Sequence, residues 1–97
     1  MSEERASKTV RLMIYGRVQN VFYRATARTE AERRGLAGWV RNRRGGEVEA
    51  VVSGRTKEVD LFIRWTRQGP AAARVERVEI LDAGAPDGPG FTVKPDA

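Results

Sequence analysis

The stretch Gly16-Arg17-Val18-Gln19-Asn20-Val21-Phe22-Tyr23-Arg24 concentrates groups suited to holding an anion. It lies between a predicted strand end and a predicted helix start. The first N–H groups of a helix lack intrahelical partners and carry partial positive charge, so they favour an anion. Arg24 falls one or two residues inside that helix and can aim a planar guanidinium at the same anion. The pattern equally suits an ordinary strand-to-helix loop with a surface arginine. A second candidate is Asn42, set among Arg41, Arg43 and Arg44 just before Gly45-Gly46. An asparagine beside such a turn is ordinary turn chemistry. The three arginines suit a solvated face, a substrate-steering patch or a nucleic-acid contact alike.

What the chain lacks narrows the chemistry further. It has no cysteine, which removes disulfides, thiolate nucleophiles and cysteine metal sites. It has no histidine either, so the usual general base and the commonest transition-metal ligand are absent. Arg, Lys, carboxylates, hydroxyls, amides and backbone remain. Of the 18 basic residues most are arginine, and the net charge of +5 is uneven. Residues 11–44 carry nine basic and two acidic side chains, whereas residues 45–97 are slightly acidic. An anion site is therefore expected in the first half.

These groups need elements to hold them. A length of 97 residues, 40% hydrophobic and 32% charged, predicts one soluble globular domain with a single modest core. No apolar run is long enough to span a membrane, no secretory signal opens the chain, and the cytoplasm is the expected compartment. Residues 1–8 are polar and unpatterned and are expected to fray; residues 9–97 form the domain. Thr9 to Tyr15 alternates as a strand with Val10, Leu12 and Ile14 on one face, and Gly16 is expected to break it. Phe22 to Arg34 predicts a helix with Tyr23, Ala27 and Ala31 inward, stopped by Gly35.

Leu36–Arg41 and Val48–Val52 predict a hairpin around the Gly-Gly turn. Thr56 is expected to cap a second helix over 57–68, with Val59, Phe62, Ile63 and Thr66 inward. Val75–Leu81 predicts a fourth strand whose apolar register shifts, as a bulge would make it. Phe91 and Val93 mark a short final edge strand. The order βαββαβ plus a terminal strand predicts a ferredoxin-like α/β sandwich: an antiparallel sheet with two helices on one face.

Taken together, the two candidate segments carry a family resemblance. The chain resembles the acylphosphatases from its first strand to its last. That family's first motif reads hydrophobic-x-Gly-x-Val-Gln-Gly-Val-x-Phe-Arg, and residues Ile14 to Arg24 follow it. The second reads Gly-aromatic-Val-basic-Asn-x-x-x-Gly-x-Val with a further Gly six residues on. Gly38 to Val48 and Gly54 match it without a gap. The resemblance implies a ferredoxin-like fold and hydrolysis of a carboxyl–phosphate anhydride. It implies that Arg24 binds the phosphoryl group with the backbone N–H groups of Arg17, Val18, Gln19, Asn20, Val21 and Phe22. It implies that Asn42 orients the attacking water, with no metal or organic cofactor. The expected partners are a small acyl phosphate as substrate and inorganic phosphate as product and competitive ligand, bound by a monomer.

Such a reaction fits a chain without histidine or cysteine. The leaving group is a carboxylate whose conjugate acid has a pKa of about 4, so no general acid is required. A loose phosphoryl-transfer transition state asks mainly for charge stabilisation and alignment. Glu47 and Glu49 are available as bases, though the resemblance calls for none. Two positions depart from the pattern. Asn20 replaces glycine, and Tyr23 replaces phenylalanine and brings a hydroxyl that needs a partner. Thr66, on the expected core face of the second helix, stands where a larger aliphatic would pack better. Asn20 is the least costly non-glycine choice for positive φ, and its side chain is expected to weaken phosphate binding or slow turnover. Two other readings stand beside the hydrolase: a non-catalytic phosphate- or carbamoyl-phosphate-binding module, and an RNA-binding domain. Against the last, strand aromatics are few (Tyr15, Trp39, Phe91) and no RNP-like run is present.

Overall fold

The computed structural model describes residues 6–97. Seven elements follow in order: β1 (Ser7–Arg17), α1 (Tyr23–Arg33), β2 (Ala37–Asn42), β3 (Val48–Arg55), α2 (Thr56–Thr66), β4 (Arg74–Asp82) and β5 (Phe91–Val93). They build one five-stranded sheet, order β4-β1-β3-β2-β5, with α1 packed on β2 and β5, and α2 on β3 and β1. Part of the terminus expected to fray, residues 1–5, lies outside the described residues. Ser7 and Lys8 are not frayed; they pair with Arg55 and Gly54.

Strand alternation puts Val10, Leu12 and Ile14 of β1, Val40 of β2, and Val48, Ala50 and Val52 of β3 into one buried layer. The helices answer at their own period. Tyr23, Ala27 and Ala31 of α1, and Val59, Phe62, Ile63 and Thr66 of α2, are buried against it. The two apolar layers make one core, closed at the β5 edge by Phe91, which stacks at 6.1 Å from Phe62. No helix of the described residues is long and apolar enough to cross a membrane.

Three local expectations need correction. Gly16 does not end β1. It holds φ 128° at a bulge where Tyr15 pairs with Arg77 and Gly16 with Val75, leaving Glu76 as the extra residue. A side chain here would sit 2.2 Å from the Arg74 carbonyl oxygen, so glycine serves close strand approach, not exit. Thr56 does not cap α2; Arg55 occupies the cap position, and the Thr56 N–H donates to the Ala6 carbonyl at 3.0 Å. The sheet is also not wholly antiparallel, because β5 runs parallel to β2. The reason is topological. Register matches Asp82 of β4 to Val10, Val10 to Val52, and Val52 to Gly38, so β4 ends where β2 begins. The loop over 83–90 crosses at that end and delivers β5 in the direction of β2.

Candidate active site

Strands β1, β2 and β5 all run the same way, so their C-terminal ends meet at one end of the sheet. The loop 18–22 leaves β1 there, and Asn42 is the last residue of β2. Between β1 and β2 lies the start of antiparallel β3, and the loop must bridge it. Gln19 does so: its Nε2 donates to the carbonyls of Arg43 at 2.7 Å and Glu47 at 3.0 Å. The side chain expected only as part of a backbone cradle is thus the tie between loop and hairpin. Val18, buried beneath, anchors the loop to the core.

The result is a cleft of about 470 Å³. Val18, Asn20, Phe22 and Arg24 line it from the loop and the start of α1, joined by Asn42 of β2 and Val93 of β5. Among the sequence-predicted site residues, Arg17, Gln19 and Val21 fall outside the lining. Arg17 pairs with Arg74 within the sheet, and Val21 packs on the core. Outside helices and strands, no hydrogen bond among the described residues uses the backbone N–H of residues 18–22. The first turn of α1 holds no acidic side chain to compete for its N-terminal charge. Donors without partners and an unneutralised helix start favour an anion.

Two residues of the loop take the left-handed conformation, Asn20 at φ 61° and Phe22 at φ 64°. Asparagine tolerates that region; a bulky aromatic there is unusual. Phe22 stands at the cap position of α1, one residue before the predicted helix truly begins, and its carbonyl accepts from the Thr26 N–H and Oγ1. No sequence signal announces that conformation.

Arg24 and Asn42 reach the cleft differently. Arg24 is half-exposed, and its Nη1 donates to an Asp96 carboxylate oxygen at 3.2 Å. That carboxylate arrives because the tail continues past β5 beside β2. The Lys94 N–H donates to the Val40 carbonyl, and the Ala97 N–H to that of Asn42. Asn42 is buried, and its side-chain Oδ1 accepts no hydrogen bond from the described residues. A buried carbonyl oxygen without a partner costs about 1–3 kcal/mol. Asn42 is among the residues that line the cleft, so a small turn of its amide would offer this oxygen to a water or ligand.

The remaining arginines of the basic half are mostly committed. Glu49, on the face of the sheet opposite the helices, accepts from Arg11 at 2.5 Å, Arg41 at 2.7 Å and Arg43 at 3.1 Å. Burial works to raise its carboxyl, and the three guanidinium groups outweigh this, holding it below the usual carboxylate range. Arg33 and Arg34 bind Glu30. On the open face, Arg77 covers the Tyr15 ring at 3.9 Å, while Arg41 and Lys94 cover Trp39 at 4.9 and 4.4 Å. Neither Glu47 nor Glu49 lines the cleft. The Tyr23 hydroxyl, whose pKa burial pushes well above the ordinary tyrosine value, donates to the Thr66 carbonyl at 2.7 Å.

Known proteins are similar to this chain in sequence and in fold. A family model described as acylphosphatase matches residues 10–93. An acylphosphatase of Acidovorax sp. (strain JS42) is 50% identical over 91 residues, 94% of each chain. One of Azoarcus sp. (strain BH72) is 54% identical over 84 residues, 87% of this chain and 86% of that one. The solved structure of an acylphosphatase from Coxiella burnetii superposes with a TM-score of 0.87 at 32% identity, covering 94% of this chain and 96% of that one. With the family model matched over residues 10–93, relatives at about 50% identity and the same ferredoxin-like frame, this chain belongs to the acylphosphatase family.

Proposed function

We propose that this protein hydrolyses the carboxyl–phosphate bond of small acyl phosphates, giving a carboxylate and inorganic phosphate, with Arg24 and Asn42 as its catalytic residues. One observation carries the reading: Arg24 and Asn42 line the same cleft at the joined ends of β1 and β2, and the Asn42 Oδ1 is left without a hydrogen-bond partner among the described residues. The phosphoryl group takes the polar end. Arg24 and the N–H groups of the 18–22 loop donate to its non-bridging oxygens, where charge is held through the transition state. The pair between Arg24 and Asp96 is exposed and is worth at most about 1 kcal/mol. A dianion accepting from the same guanidinium in bidentate fashion outcompetes it.

Water donates one O–H to Asn42 Oδ1, which turns a lone pair toward phosphorus. The new P–O bond forms as the bond to the acyl oxygen breaks, and its electron pair leaves on the carboxylate. Both protons of the attacking water go with its oxygen into the phosphate product as H2PO4−, which then gives one to solvent. No acid is needed for a leaving group whose conjugate acid has a pKa of about 4. No carboxylate base is invoked, since Glu49 is bound by three arginines. The reading extends to a monomer acting in the cytoplasm.

The test is hydrolysis of benzoyl phosphate by wild type, Arg24→Ala and Asn42→Ala. Arg24→Ala is expected to lose phosphate inhibition along with activity. Asn42→Ala is expected to lose about 100-fold or more in kcat with its fold and phosphate affinity kept. Wild-type protein that hydrolyses the substrate no faster than buffer, while phosphate still protects it from unfolding, would make it a binding module instead.

A further inference from the structure

We propose that Phe22 selects the acyl group, and that the preferred substrates of this protein are acyl phosphates with apolar, above all aromatic, acyl groups. The proposal rests on the reading of the cleft as an acyl-phosphate hydrolase site. Phe22 is 82% exposed, far beyond Ile80 at 47% and Leu81 at 42%. Its ring therefore gains little from folding. Its backbone is also held at φ 64°, a conformation that bulky residues avoid. An exposed aromatic in a disfavoured conformation serves neither the core nor the turn, where asparagine or glycine would sit at lower cost. Such strain collects at ligand-holding positions.

The position of the ring indicates its use. Phe22 lines the cleft two residues before Arg24, and Val93, at 39% exposure, adds a second apolar side chain to the same lining. Asn20, Arg24 and Asn42 supply the polar part. An acyl phosphate has the matching division. Its phosphoryl end carries the charge, and the acyl end projects away from the arginine toward the open side of the cleft. A phenyl ring there can meet Phe22 in an offset or edge-to-face contact and shed water from both surfaces. A methyl group offers little to either. The contact is present in ground and transition states alike, so it is read mainly in KM.

The experiment compares kcat/KM for benzoyl phosphate and acetyl phosphate in wild type, Phe22→Gly and Phe22→Leu. Glycine removes the ring and suits the left-handed backbone, so the loop is kept; leucine keeps an apolar side chain. Wild type is expected to favour benzoyl phosphate. The benzoyl-to-acetyl ratio is expected to fall about tenfold in Phe22→Gly, mainly through the KM for benzoyl phosphate, and much less in Phe22→Leu. An unchanged ratio in Phe22→Gly, whatever the absolute rates, overturns the selection by Phe22 and leaves the hydrolase standing. Wild type inert on both substrates overturns the hydrolase and the selection with it.

Discussion

Among single residues, Asn20 offers the sharpest test of how the loop works. It stands where the family motif has glycine, adopts φ 61° and lines the cleft beside Arg24. Asparagine meets the backbone demand at small cost, so the loop forms. Its carboxamide lines the cleft, where it is expected to crowd a bound anion and to compete with the loop donors for it. Asn20→Gly is therefore expected to raise kcat/KM for benzoyl phosphate by about two- to tenfold, an amount within that of one misplaced polar contact. Inhibition by inorganic phosphate is expected to tighten in step. Equal constants in the two proteins would show that the side chain stays clear of the bound anion. Tyr23 departs from the motif in the opposite sense. Its hydroxyl finds the Thr66 carbonyl, so a change that looks like a liability in the core becomes a tie between α1 and the end of α2.

At the scale of elements, the site exists because three strands end together and a loop bridges the fourth. Gly16 sets the level at which β1 lies against β4, since its φ of 128° and the closeness of the Arg74 carbonyl exclude a side chain. Gly16→Ala is expected to lower unfolding free energy by about 2–4 kcal/mol, combining steric overlap with an unsuitable backbone conformation. Chemical denaturation measures this directly; a loss under about 1 kcal/mol would mean that the bulge yields freely. The period of the apolar residues made both helices and four strands readable, because burial on one face imposes it. Tyr23, Ala27 and Ala31 are cases in point. Other features lay beyond sequence because long-range contacts decide them. The direction of β5 follows from where β4 ends, and the cap of α2 from a backbone bond reaching Ala6. Asp96 meets Arg24 only after the tail has aligned with β2. The two site motifs were legible as segments, yet the left-handed turn at Phe22 contradicts local preference, and no neighbouring residue signals it.

For the molecule as a whole, the surplus of arginine is managed by a few carboxylates, and Glu49 carries the heaviest share. Its side chain is 3% exposed and binds three guanidinium groups drawn from β1, β2 and the β2–β3 turn. A single buried carboxylate thus joins three arginines across the open face of the sheet, and the sign of its pH dependence follows. The folded carboxyl is held below its ordinary value. The unfolded chain therefore takes up a proton from solution before the folded one does as pH falls. The stabilisation is complete above the ordinary glutamate value, near about pH 4, and is lost as pH drops through the lower folded value. Glu49→Gln leaves three arginines facing a neutral amide and is expected to cost about 2–4 kcal/mol at pH 7, the range for breaking a buried pair, discounted because the arginines are partly exposed. At the most acidic pH where both proteins still unfold cooperatively, the gap between them is expected to narrow, since wild type has by then begun to lose the same charge. Denaturant melts at the two pH values measure it. A gap of equal size at both would mean that the arginines are stabilised by packing and solvent, with the carboxylate charge contributing little.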